Sequence, residues 1–185
     1  MTLLLKELIN YLKNPVLETD QNQSFIYRFK VFFSLLFLSL SISFFLSIIT
    51  GILTFTGVLH ENNHLTDSLL NDSNELKILF LASILAPIIE ELIFRAPMVL
   101  FKRESIFKIA FYSITIVFAY VHIFNFELND NVLLFSPLLV APQFIIGLIF
   151  GFIRIRFGLI WAIGLHGTYN GVLVVLFLLA KHGIE

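Results

Sequence analysis

Five stretches of this 185-residue chain are apolar for about 20 residues each, which is the length a helix needs to cross roughly 30 Å of hydrocarbon. They cover about 31–52, 78–100, 105–125, 132–153 and 159–180. Backbone groups in lipid must find their hydrogen bonds within the segment, so each window is expected to be helical. Composition agrees. Hydrophobic residues make up 58% of the chain and charged ones 14%, well under the roughly 25% of a soluble domain. A soluble fold of this size could not hide so much apolar surface. The expected fold class is all-α: a polytopic transmembrane bundle of about five spanning helices, preceded by an N-terminal interfacial helix.

The loops suggest an orientation. Arg28 and Lys30 precede the first window. Lys102, Arg103 and Lys108 lie between the second and third, and Arg154 and Arg156 between the fourth and fifth. The alternate loops, 59–76 and 126–131, hold no Lys or Arg. Alternation of basic and non-basic loops is the positive-inside pattern, and it puts the N-terminus in the cytoplasm and the C-terminus outside. Residues 1–30 read as a cytoplasmic or interfacial segment and 31–185 as the transmembrane domain. The first apolar run, Leu3–Leu5, is too short for a signal peptide. A net charge of -1 argues against a nucleic-acid partner. The absence of cysteine removes thiolate catalysis and Cys-ligated metal.

Charge inside a membrane is costly, about 2.5–3.5 kcal/mol per Asp, Lys or Arg at a helix centre. The second window nevertheless carries Glu90, Glu91 and Arg95. Glu91 and Arg95 are four apart, share a helix face and can form an ion pair. Glu90 lies about 100° around the helix and has no local partner. His122 ends the third window, four residues after Phe118. His166 and Asn170 lie four apart on one face of the fifth. Three helices therefore each supply polar groups to what could be one buried site. A carboxylate beside an imidazole can activate water, and a second His with an Asn can donate to an oxyanion. Alternatively Glu90, His122 and His166 could hold a zinc ion with an open water position. Both routes lead to hydrolysis. The competing function is a non-enzymatic bundle, a proton relay, transporter-like protein or scaffold.

Three motifs in order carry a family resemblance. Glu90-Glu91-Leu92-Ile93-Phe94-Arg95 is similar to the EExxxR motif of the CAAX prenyl protease and bacteriocin-processing (Abi) family of intramembrane proteases. Phe118 to His122 is similar to its FxxxH motif, and His166 to Asn170 to its HxxxN motif. The resemblance covers about 75–180. It implies an intramembrane endopeptidase acting on membrane-associated proteins or peptides, in the cytoplasmic membrane of a bacterium. It implies that Glu90 activates water with help from His122, that His166 and Asn170 stabilise the oxyanion, and that Glu91 and Arg95 brace the site. Some members serve in bacteriocin immunity. The family is called metallo-, so Zn2+ is a candidate cofactor, with metal-free hydrolysis the other possibility.

Three further features carry expectations. Gly147 with Gly151 and Gly167 with Gly171 are GxxxG pairs, read as close-packing devices. His60-Glu61-Asn62-Asn63-His64 spells HExxH. It lies in a polar loop with no third ligand evident, so it is expected to be a chance match. Finally, a rise of about 1.5 Å per residue puts His122 roughly 10 Å outward of its window's centre and His166 roughly 6 Å inward. Convergence of the two requires tilt, a kink at Pro87 or shifted boundaries.

Overall fold

The structure is a computed structural model and describes residues 2–58 and 74–184. The HExxH segment lies outside the described residues. The regular elements are helical, and no β-strand occurs among the described residues. Helix α1 spans Thr2–Lys13 and α2 spans Phe25–Phe55. α3 (Glu75–Phe80) runs through a π-turn (Leu81–Leu85) into α4 (Ala86–Phe94). A 3-10 turn (Ala96–Leu100) leads to α5 (Glu104–Val121), and a second (His122–Asn125) follows it. α6 (Asp130–Leu139), α7 (Ala141–Phe157) and α8 (Leu159–Ile184) complete the chain.

Among the described residues, four helical stretches are long and apolar enough to cross a membrane: Phe25–Phe55, Glu104–Asn125, Asp130–Phe157 and Leu159–Gly183. Their outer faces carry large apolar groups, such as Phe37, Phe44 and Phe55, at 64%, 71% and 93% exposure. Water would not tolerate such a surface, whereas lipid does. The molecule is an integral membrane bundle.

The second window is where sequence and structure diverge. The 78–100 stretch is not one uninterrupted helix; it holds the π-turn and ends at Phe94. Prolines explain both features. Pro97 disfavours helix at the residue before it and has no N–H to continue the ladder. Pro87 removes the donor that would serve Ser83 O in α register or Ala82 O in π register. The π register is present, because Ala86 N–H donates to Leu81 O. Ala82 O is instead bonded by a side chain from α8, described below.

The depth problem resolves through boundaries. The first half of α5 lies beside α1: Lys108 Nζ is 3.3 Å from Asn14 Oδ1, and the Tyr112 hydroxyl donates to the Leu12 carbonyl. α5 thus begins beside α1, and its C-terminal end brings His122 to α4, with Nε2 3.9 Å from Glu90 Oε2. α4 ends four residues past Glu90, and His166 lies in the second turn of α8. Glu90 and His166, from different positions along their helices, thereby come within 3.7 Å of each other.

The N-terminal segment is docked rather than loose. Leu8 and Tyr11 are buried, with the Tyr11 ring edge-on to Phe111 and Phe152 at 5.7 and 5.1 Å. Arg156, at the end of α7, binds Glu7 and Asp20, each at 2.7 Å. Both GxxxG pairs are close contacts. A Cβ at Gly147 would lie 3.0 Å from Phe118, and one at Gly151 would lie 2.7 Å from Phe111. One at Gly167 would lie 2.4 Å from the Ser83 carbonyl oxygen. That atom is backbone and cannot swing away. Only glycine lets α8 meet the π-turn.

Candidate active site

The site is assembled by α4, α5, α7 and α8 around two adjacent glutamates. Glu91 points into the bundle and is fully buried. Its Oε1 lies 3.0 Å from His166 Nδ1 and 3.8 Å from Arg95 Nε. Arg95 is also fully buried. Its guanidinium carbon sits 3.7 Å over the Phe118 ring, and its Nη2 donates to Gly147 O at 3.3 Å. The Arg95 carbonyl accepts from Arg154 Nε at 3.1 Å. The i, i+4 pair expected from sequence is present, and it is anchored by groups from three other helices.

Glu90, 100° around α4, faces two imidazoles. Its Oε2 is 3.9 Å from His122 Nε2 and 3.7 Å from His166 Nε2. The structure therefore brings Glu90, His122 and His166 from three different elements to one oxygen. The second nitrogen of each ring decides what faces that oxygen. His122 Nδ1 lies 2.8 Å from Phe118 O. A carbonyl only accepts, so Nδ1 carries the hydrogen and the neutral ring presents a bare Nε2 to Glu90. His166 Nδ1 likewise donates to Glu91. The His166 ring is stacked on Phe150, with centroids 4.5 Å apart.

Buried atoms without partners concentrate here: Glu90 Oε2, Glu91 Oε2, and Nε and Nη1 of Arg95. Each such atom costs about 1–3 kcal/mol if left dry. Polar groups crowded in this way are satisfied by ordered water. Glu90 keeps 27% of its side chain exposed, while Glu91 keeps none. The two carboxylates thus differ in access.

Asn170 sits one turn beyond His166 on α8. Its Nδ2 donates to Ala82 O at 3.0 Å. This is the carbonyl that Pro87 leaves without a donor in the π register. The interhelical bond is a structural duty that the HxxxN spacing alone does not show.

Zinc was tested against the same side chains. Two neutral Nε2 atoms and a carboxylate are suitable ligand types. Among the described residues, however, no group of three His, Cys, Asp or Glu side chains is placed to hold a metal ion. With zinc bonds of about 2.0–2.2 Å, nitrogen–oxygen separations of 3.7 and 3.9 Å would open the angles at the metal beyond the tetrahedral value. Among the described residues, the side chains as placed do not form a zinc site.

Sequence reasoning gave Phe118 little weight and did not single out Phe150. Phe118 holds Arg95 with its ring and His122 with its carbonyl. Phe150 sets the plane of His166. The FxxxH spacing marks Phe118 by position alone, and in a chain with 22 phenylalanines no local signal marks Phe150.

Comparison with known proteins assigns the sequence to a family. No curated protein and no solved structure matches the chain. Residues 72–172, more than half of the 185, match the family described as type II CAAX prenyl endopeptidase Rce1-like. That match holds both glutamates, Arg95, both histidines and Asn170, and the chain belongs to the Rce1-like family of CAAX prenyl endopeptidases, membrane-embedded peptide hydrolases.

Proposed function

We propose that this protein is an intramembrane endopeptidase in which Glu90 activates the attacking water. The observation carrying this reading is one buried, unpartnered carboxylate oxygen held between two imidazole nitrogens. A water at Glu90 Oε2 gives its proton to the carboxylate, and its second hydrogen bonds to the bare Nε2 of His122. The hydroxide attacks the peptide carbonyl. Glu90 then returns the proton to the leaving amine. His166, protonated on Nε2 and held through Nδ1 by Glu91, donates to the oxyanion. Asn170 Nδ2 has a second hydrogen beyond the one given to Ala82 O, and this is the other donor. Glu91 and Arg95 touch no reacting atom; they position His166. A proton relay would string its groups along a path, and clustering around one oxygen favours the hydrolytic reading.

The substrates are membrane-associated proteins or peptides, and the membrane is the bacterial cytoplasmic membrane with the N-terminus on the cytoplasmic side. The purified protein in detergent should cleave a membrane peptide substrate, and Glu90→Ala should abolish that cleavage. A chelator should leave it unchanged. Full activity of Glu90→Ala would overturn the assignment. Loss on chelation that added zinc restores would return Glu90, His122 and His166 to the role of ligands.

A further inference from the structure

A second polar place lies at the edge of the bundle, outside the catalytic cluster, in a groove whose outer rim carries the exposed Phe37 and Phe44. A cavity of about 500 Å³ opens between α2, α7 and α8, with Ser43, Ser47, Gln143 and Tyr169 contributing to its wall. Ser43 is buried, and its hydroxyl is 2.5 Å from that of Tyr169. Gln143 Oε1 is buried without a partner. One turn from Ser43 on the same face of α2, Ser39 is fully buried and its hydroxyl is also unpartnered. Aliphatic chains of lipid can satisfy none of these atoms. The cavity has room for several waters, each of which needs two to four polar partners. Gln143 Oε1 supplies a free acceptor, and the hydroxyls of Ser43, Ser47 and Tyr169 keep spare lone pairs beside the bonds from Ser47 Oγ to Ser43 O and between Ser43 and Tyr169.

Position gives this cavity a use. Hydrolysis consumes one water per peptide bond, and the catalytic cluster lies among phenylalanines. Tyr169 lines the cavity and packs 6.0 Å from Phe150, and Phe150 stacks on His166. One aromatic layer separates the cavity from the site. The geometry points to a water-filled store between α2, α7 and α8 from which the site draws its second substrate. The presence of water there is independent of the peptidase reading; its use in turnover rests on that reading.

The chain has no cysteine, so single cysteines report cleanly. Ser47→Cys and Gln143→Cys would be treated with a small water-soluble methanethiosulfonate in the intact, detergent-solubilised protein. Phe45→Cys, on the exposed face of α2, is the control within the detergent belt. The thiolate that reacts forms only where water solvates it, so both cavity positions should label at least roughly tenfold faster than the control. Equal, slow labelling at all three positions would overturn the proposal, whether or not the protein cleaves peptides. Two cavity positions guard against a variant that fails to fold, which gel filtration would show. For the supply role, Ser47→Leu should lower kcat several-fold with KM unchanged. An unchanged kcat would overturn that role even where the cysteines label.

Discussion

His166 Nδ1 lies 3.0 Å from Glu91 Oε1, so the carboxylate with no exposed surface determines which nitrogen of His166 the exposed carboxylate meets. Two adjacent glutamates in one sequence motif thus do different work. Glu91 turns inward, compensates Arg95 and orients an imidazole. Glu90 turns toward the two Nε2 atoms and the remaining space. Their difference comes from 100° of helix rotation and the buried partners on one side.

This division predicts separable mutants. Glu90→Gln removes a base whose Oε2 has no hydrogen bond to lose. Hydrolysis should fall by about 10²–10⁴-fold while thermal stability in detergent is kept. Glu91→Gln leaves Arg95 charged, buried and uncompensated, and should cost about 3–5 kcal/mol of stability as well as activity. Paired melting curves and rates test this. An unstable Glu90→Gln with a stable Glu91→Gln would reverse the roles.

Asn170 should show a mixed phenotype. Asn170→Ala strands Ala82 O beside Pro87 and should lower stability by about 1–3 kcal/mol. It also removes the proposed oxyanion donor and should lower kcat by roughly 10²–10³-fold. A variant with full stability and reduced kcat would show that the bond to Ala82 O carries no structural weight.

The contact between α8 and the π-turn tolerates no side chain. Gly167→Ala sets a Cβ 2.4 Å from a backbone oxygen and should destabilise by about 1–3 kcal/mol through forced backbone shifts. Gly51→Ala, with nothing within 4 Å, should be neutral or stabilising by about 0.5–1 kcal/mol, because alanine favours helix. Equal melting temperatures for the two variants would contradict the close approach.

Acid should release the N-terminal helix. Burial raises the Asp20 pKa, but the hydrogen bonds from Arg156, the Asn22 N–H and the Tyr27 hydroxyl outweigh it, and the group titrates below its ordinary value of 3.8. A depressed folded value means that this stabilisation is fully present above the unfolded pKa and is lost as pH falls through the folded one. Limited proteolysis of residues 14–24 should be slow at neutral pH and accelerate below about pH 4. Asp20→Asn should be cleaved readily at both.

Orientation can be read with single cysteines. Glu127→Cys should react with an impermeant reagent added outside intact cells, and Lys102→Cys only after permeabilisation, as the basic loops require. Labelling of position 102 from outside would invert the topology.

Hydrophobic run length determined the class of fold, because a bilayer leaves an apolar 20-residue segment little choice but helix. The three motifs likewise marked Glu90, Glu91, Arg95, His122, His166 and Asn170, since charge in lipid needs a reason. Neither could show how the helices are offset along the membrane. Midpoint arithmetic set His122 and His166 at different depths, and they meet at one oxygen because α5 begins beside α1. The break in the second window was written in Pro87 and Pro97, yet its consequence was not. Only the packed bundle showed that Ala82 O takes its hydrogen bond from Asn170. Phe150 was illegible for a related reason: a phenylalanine stacked on a buried imidazole and one facing lipid are the same letter. Periodicity fixes which residues share a face of one helix, but which face of which neighbour they meet is settled by long-range contacts that no local spacing encodes.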